Sequence, residues 1–197
     1  MIIIKMSILE LKDNIYIVKN VFEPGKCNEI ITFIKENKVL HKYNEVIQNI
    51  NNVECTFINI NENITNKYLL ELDEFIKNKI PDILKLIISK NFFFKKNVHD
   101  NGYTLREISG GTLLHTDGIF NNNNKNYGHS RPRLLSIIVN LNDDYDGGEF
   151  NFPKQDVKVK LKIGDIICFP PYWTHPHEVS PVLSGQYRYT VNTWILE

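Results

Sequence analysis

His115-Thr116-Asp117 places an imidazole and a carboxylate one residue apart. Alternate residues of a strand share a face, so these two side chains can grip one ion together. A third ligand has to come from elsewhere, and Thr174-His175-Pro176-His177-Glu178-Val179-Ser180-Pro181-Val182 offers two histidines. His177 is favoured because it leads directly into the Val179 to Val182 turn. His175 is expected to line the pocket or to pack beside Trp173. His115, Asp117 and His177 then form a face of two imidazoles and one carboxylate, a donor set that suits Fe(II) and leaves coordination positions open.

Open positions on such a face accept a 2-oxo acid and O2, so the chemistry it points to is oxygenation. The far carboxylate of a 2-oxo diacid needs a buried cation, and the planar arginine fork fits a carboxylate better than lysine does. Arg188 supplies that cation on the closing strand. Thr190 lies two residues further, on the same face, and its hydroxyl can share the carboxylate. Tyr103, upstream on the strand leading to His115, is a further candidate for a hydrogen bond to the cosubstrate.

The elements that must hold these residues change character along the chain. Ile15-Tyr16-Ile17-Val18 suits a strand, and Pro24-Gly25 breaks it. Ile30, Ile31, Phe33 and Ile34 give the stretch from Cys27 to Lys38 an amphipathic helical period. Tyr68 to Ser89 has helical spacing too, with Pro81 expected to kink or restart it. These helices read as a support layer. From Asn101-Gly102 onward the pattern is β. Tyr103 to Ile108 alternates, Gly110-Gly111 turns, and Thr112 to Asp117 carries the metal pair. Gly118 to Arg133 reads as a mobile polar loop. Leu134 to Leu141 is apolar enough for a strand buried on both faces. Asp146-Gly147-Gly148 signals a hairpin. Short strands with regularly spaced turn signals predict a sandwich or jelly roll, mainly β with α support (an α+β chain).

The 197 residues suffice for one cored domain, and the expected organisation is a single unit over 1–197. Residues 1–98 form its strand-and-helix support region and 99–197 its catalytic core. Lys+Arg and Asp+Glu balance at 23 each, which removes the global field that nucleic acid or an anionic membrane would require. Cys27, Cys55 and Cys168 have no metal-type spacing and read as buried thiols in a reducing compartment. No stretch looks like a signal peptide or a membrane span, so a soluble, cytoplasmic protein is expected.

Several further segments fall in the same order: Arg133-Leu134-Leu135-Ser136, Leu141-Asn142, Asp146-Gly147-Gly148-Glu149, Gly164-Asp165 and Phe169-Pro170, then Gly185 before Arg188. With His115-Thr116-Asp117 and the His177 stretch, this pattern resembles the 2-oxoglutarate and Fe(II)-dependent dioxygenases of the prolyl 4-hydroxylase-like superfamily. The resemblance covers about half the chain, from Tyr103 to the C-terminus, and implies several things. The fold would be a double-stranded β-helix flanked by N-terminal helices. His115, Asp117 and His177 would hold Fe(II). Arg188 would anchor 2-oxoglutarate, with succinate and CO2 as coproducts and often ascorbate dependence. The expected substrate is a peptidyl proline. Alternatives are a free amino acid, another protein residue or a small molecule, or a β-helix binding module without catalysis. One departure stands out. The family's basic residue falls two positions after the glycine, where this chain has Tyr187, so an extra residue at Gln186 or Tyr187, such as a bulge, is expected.

Overall fold

The computed structural model describes residues 6–43, 55–90, 98–118 and 132–196. The loop expected over Gly118 to Arg133 therefore lies almost wholly outside the described residues, with His129 and Arg131; so does Phe92-Phe93-Phe94.

Helix α1 spans Pro24–Glu36. Pro24 does not merely end the preceding strand. It sits in the first helical turn, where its missing N–H costs nothing and its fixed φ starts the helix. Cys27, Ile30, Ile31 and Ile34 form its buried stripe. The long apolar stretch after Tyr68 is two helices, α2 over Lys67–Lys77 and α3 over Ile80–Ile88. Pro81 lies in the first turn of α3, so it restarts the helix. Asn66 caps α2, its side-chain oxygen accepting from Leu69 N at 3.2 Å.

The strands are β1 (Ser7–Lys12), β2 (Ile15–Lys19), β3 (Lys42–Tyr43), β4 (Cys55–Asn59), β5 (His99–Asp100), β6 (Thr104–Ile108) and β7 (Thr112–His115). They continue as β8 (Arg133–Asn140), β9 (Tyr145–Gly147), β10 (Phe150–Phe152), β11 (Val157–Val159) and β12 (Ile166–Phe169), then β13 (His177–Val179), β14 (Val182–Gly185) and β15 (Arg188–Leu196). The large sheet runs β1-β2-β12-β8-β15-β6-β4-β3, with β5 pairing with β15. A smaller sheet runs β11-β10-β13-β7, and β14 pairs with β9. The large and small sheets stack as a jelly roll, the double-stranded β-helix.

Strand parity divides the core in two. Tyr16, Val18, Leu135, Ile137, Val139, Ile166, Cys168, Tyr189 and Val191 face the helices and pack with Ile30, Ile34, Leu69, Leu72 and Ile83. Their strand neighbours Ile15, Ile17, Ile138, Ile167 and Phe169 face the smaller sheet, against Phe150, Phe152 and Val179. The polar residues that share this inner face, Ser136, Asn140, Arg188 and Thr190, are buried as well. All three cysteines are buried and unbridged. No helix among the described residues is long and apolar enough to cross a membrane.

Candidate metal centre

His115 ends β7 and His177 begins β13, and the antiparallel pairing of these strands sets the two histidines directly opposite each other. Their ring centroids are 4.4 Å apart. The register of one strand pair thus joins two distant points of the chain. Val179 N reinforces it by donating to Thr112 Oγ1 at 3.0 Å. His177 is held on its inner side by the rings of Phe152 and Phe169, at centroid distances of 5.4 and 4.5 Å.

Asp117 reaches the site by a different route from the one its spacing suggests. β7 stops at His115, so Asp117 is not on the strand and parity does not place it. The main chain beyond the strand is tied down instead. Arg133 Nη1 donates to Asp117 O at 2.6 Å, and Gly118 N donates to Pro171 O at 2.6 Å. The Asp117 carboxylate receives the Ser136 hydroxyl on Oδ2 at 2.6 Å. Its other oxygen, Oδ1, lies 3.4 Å from His115 Nε2 and 4.0 Å from His177 Nε2.

Both imidazoles are held in the tautomer a metal needs. His115 Nδ1 is 2.8 Å from Leu113 O, and His177 Nδ1 is 3.2 Å from His175 O. A carbonyl oxygen can only accept, so each Nδ1 carries the proton and each Nε2 presents a lone pair. Those two nitrogens and the Asp117 oxygen lie within 4.8 Å of one another. Two neutral nitrogens and one anionic oxygen on a common side match the donor chemistry of a divalent transition ion.

The electrostatics are uneven across the three. Burial pushes the Asp117 carboxyl up, but His115, His177 and Ser136 outweigh it and hold it well below the carboxylate range. Burial lowers His177 to about 4 despite the Asp117 charge. Burial works the same way on His115, yet the hydrogen bond and charge of Asp117 win and raise it. The His115 side chain is 41% exposed and that of His177 only 3%, so His115 is the ligand at the mouth.

Arg188 opens β15, buried at 4% exposure, with its guanidinium carbon 4.8 Å from the centre of the Phe150 ring. Among the described residues no carboxylate pairs with it, and its Nε has no hydrogen-bond partner. A buried cation without an anion is costly, and this one lies on the inner face of the large sheet, against Phe150 of the smaller one. Gln186 and Tyr187 form the link between β14 and β15, and Arg188 pairs with Ile108 without irregularity. The bulge expected at Gln186 or Tyr187 is therefore not in β15; both residues lie in the link that precedes it.

Thr190 faces inward with Arg188, but its hydroxyl donates to Asn192 Oδ1 at 2.7 Å. Its proton is thus engaged within the strand. The structure does not bring Tyr103 to the site. It packs on the helix-facing side, its phenol pushed up by burial and by Asp100, Asp73 and Glu74. His175 is no ligand either; its Nε2 lies 2.6 Å from Asp13 O and ties the β1–β2 turn to the loop before β13.

Sequence reasoning missed three contributors. Ser136 could have been found from strand parity, since Ile138 faces inward. Arg133 clamps a main-chain carbonyl and stacks 3.7 Å from the Trp194 ring centroid, a role without a spacing signal. Tyr145 lies beside Arg188 and donates to Asn140 Oδ1 at 3.1 Å. Its position before Asp146-Gly147-Gly148 was the available hint.

Comparison with known proteins agrees with this geometry. Residues 103–196 match the model of the 2OG-Fe(II) oxygenase superfamily. Mouse (Mus musculus) prolyl 3-hydroxylase 2 is 41% identical over 67 residues, 32% of this chain. The matched stretch is only 9% of that protein's length. Among solved structures, the viral collagen prolyl hydroxylase of Paramecium Bursaria Chlorella virus-1 superposes with a TM-score of 0.65 at 20% identity, covering 93% of this chain and 96% of that one. A prolyl hydroxylase from Trichoplax adhaerens, in complex with a peptide fragment of the hypoxia inducible factor oxygen degradation domain, superposes at 0.66 and 15% identity, with coverage of 93% and 83%.

Proposed function

We propose, for a chain whose residues 103–196 belong to the 2OG-Fe(II) oxygenase superfamily, that it is an Fe(II)- and 2-oxoglutarate-dependent dioxygenase that hydroxylates a peptidyl proline. The observation that carries this reading is the convergence of His115 Nε2, His177 Nε2 and one Asp117 oxygen within 4.8 Å. Iron bound there would supply O2 activation coupled to oxidative decarboxylation of 2-oxoglutarate, releasing succinate and CO2.

The chain's own residues divide the remaining work. His115, Asp117 and His177 hold the metal from one side, and the hydrogen bonds on their far atoms keep them aimed. Arg188 takes the distal carboxylate of the cosubstrate, with the Tyr145 phenol beside it. Phe150, Phe152 and Phe169 keep water from the inner side of the pocket, which strengthens both contacts. β7 is an edge strand of the smaller sheet and its rim is apolar: Leu113 and Leu114, directly before His115, are exposed. That rim suits a segment of polypeptide, and the Trichoplax neighbour holds a peptide. Ascorbate would serve as reductant for an idle enzyme.

The test measures succinate formed from 2-oxoglutarate with Fe(II), ascorbate and proline-containing peptides, set against free proline and lysine. Peptide-stimulated succinate, lost in His115→Ala, is the expected result. Undiminished turnover in His115→Ala sinks the assignment, and turnover of free amino acids alone moves the substrate to a small molecule.

A further inference from the structure

A second arginine shares the inner face of the large sheet with Arg188, and it deepens the reading just proposed. Arg106 lies on β6, paired with Thr190 of β15 on one side and with Phe57 of β4 on the other. Its neighbour Leu105 packs toward the helices, whereas Ile108, of the same parity as Arg106, packs with Cys55 away from them. Strand alternation therefore turns Arg106 inward, onto the face that carries Arg188 and Thr190.

Its electrical surroundings agree. Burial and, beside it, the charge of Arg106 hold the Arg188 pKa down, and Cys55 feels both arginines. Along β15 the metal ligands lie toward Trp194, which pairs with Ser136, the donor to Asp117; Arg106 pairs with Thr190, two residues nearer that end than Arg188, so Arg106 occupies the metal side of the pair. Among the described residues Arg106 makes no salt bridge and no side-chain hydrogen bond. The carboxylate next to it in sequence, Glu107, points the other way, 2.6 Å from Lys38 Nζ and 3.0 Å from the Tyr189 hydroxyl. The carboxylate of the site, Asp117, is taken by Ser136 and the two histidines.

Two guanidinium groups thus share one face of the sheet with no protein anion assigned to them among the described residues. Like charges in a partly desolvated space repel, and only an anion placed between or beside them offsets that cost. A 2-oxo diacid carries two carboxylates, one at each end of a short chain. Arg188, deep in the pocket, matches the distal one. We infer that Arg106 binds the other, the carboxylate next to the 2-oxo group, and aligns it at the metal face. This rests on the proposed cosubstrate, and the two can fail separately.

The two arginines then make different errors when removed. Binding of 2-oxoglutarate and of 2-oxovalerate, which lacks the distal carboxylate, is measured by calorimetry on Zn(II)-loaded protein. Arg188→Gln is expected to abolish the preference for the diacid. Arg106→Gln is expected to weaken both acids by similar factors, about 10–100-fold for a lost charge-assisted pair, with the preference kept. Thermal unfolding of Arg106→Gln should be no worse than wild type, since a like-charge repulsion has gone. Arg106→Lys, which keeps the charge and loses the fork, should weaken both acids by a smaller factor, and it carries the test if the Gln variant does not fold. Wild-type affinity for both acids in the Gln and Lys variants overturns the inference, as does a defect confined to the peptide KM. A wild-type protein that binds neither acid overturns the proposed function itself.

Discussion

The Ser136 hydroxyl donates a 2.6 Å hydrogen bond to Asp117 Oδ2, which leaves Oδ1 as the oxygen turned toward the two histidines. Because Asp117 lies beyond the end of β7, this bond does for the carboxylate what a strand would otherwise do. Ser136→Ala should therefore weaken Mn(II) or Fe(II) affinity about 10–100-fold while the protein still folds. Activity should return at excess metal. A titration indistinguishable from wild type would show that the main-chain clamp at Arg133 is enough.

The three ligands should differ in what their loss does to the fold. His177 is buried among Phe152 and Phe169, so His177→Ala leaves a cavity and should cost about 2–4 kcal/mol besides abolishing metal binding. His115, at the exposed mouth, should abolish binding with little change in unfolding free energy. Chemical denaturation of both variants decides this, and equal destabilisation counts against the assigned positions.

Metal affinity should fall with acidification, beginning above the ordinary histidine range. Metal needs neutral imidazoles, and Asp117 raises the His115 pKa, so protons compete there first. The metal-free fold responds too. His177 has its pKa depressed to about 4, below an unfolded value near 6.5, so its contribution is complete above pH 6.5 and is lost as pH drops toward 4. Asp117, also depressed, adds a loss at still lower pH. Calorimetric Mn(II) titrations from pH 8 to 5.5 check the first statement; a flat affinity refutes it. Unfolding midpoints of chelator-treated protein check the second.

Arg188 is buried with no carboxylate partner among the described residues, so function and stability should oppose each other there. Arg188→Met removes a desolvated charge and should leave the fold at least as stable as wild type. It should also cost 2-oxoglutarate binding about 100-fold or more. A variant that unfolds more easily yet binds normally would contradict both halves.

Gly148 has φ of +68°, and a Cβ there would come within 2.6 Å of Tyr145 Cε2 and 3.3 Å of Arg188 Cδ. Gly148→Ala should destabilise by about 1–3 kcal/mol and raise the KM for 2-oxoglutarate by displacing both side chains. An unchanged KM alongside reduced stability would separate the turn from the anion pocket.

Much of this protein was legible in one dimension because parity and periodicity are local. The alternating and apolar runs marked β2, β6 and β8, and the two-residue step from Arg188 to Thr190 put both on one face. The helical stripe of α1 and the restart at Pro81 followed from side-chain spacing and the missing proline N–H. His115-Thr116-Asp117 was recognisable as a pair because its residue types are those a metal needs. Tertiary structure decided the rest, for reasons that no local rule contains. The pairing of β7 with β13 set His177 opposite His115, and hydrogen bonds from Arg133 and Ser136 placed an aspartate that lies outside any strand. The side of the sheet to which the helices docked turned Tyr103 away from the cavity. The same docking left Arg106 and Arg188 on the inner face, without an acidic partner among the described residues. Register, layer order and long-range hydrogen bonds depend on which surfaces meet, and that is settled only when the whole chain packs.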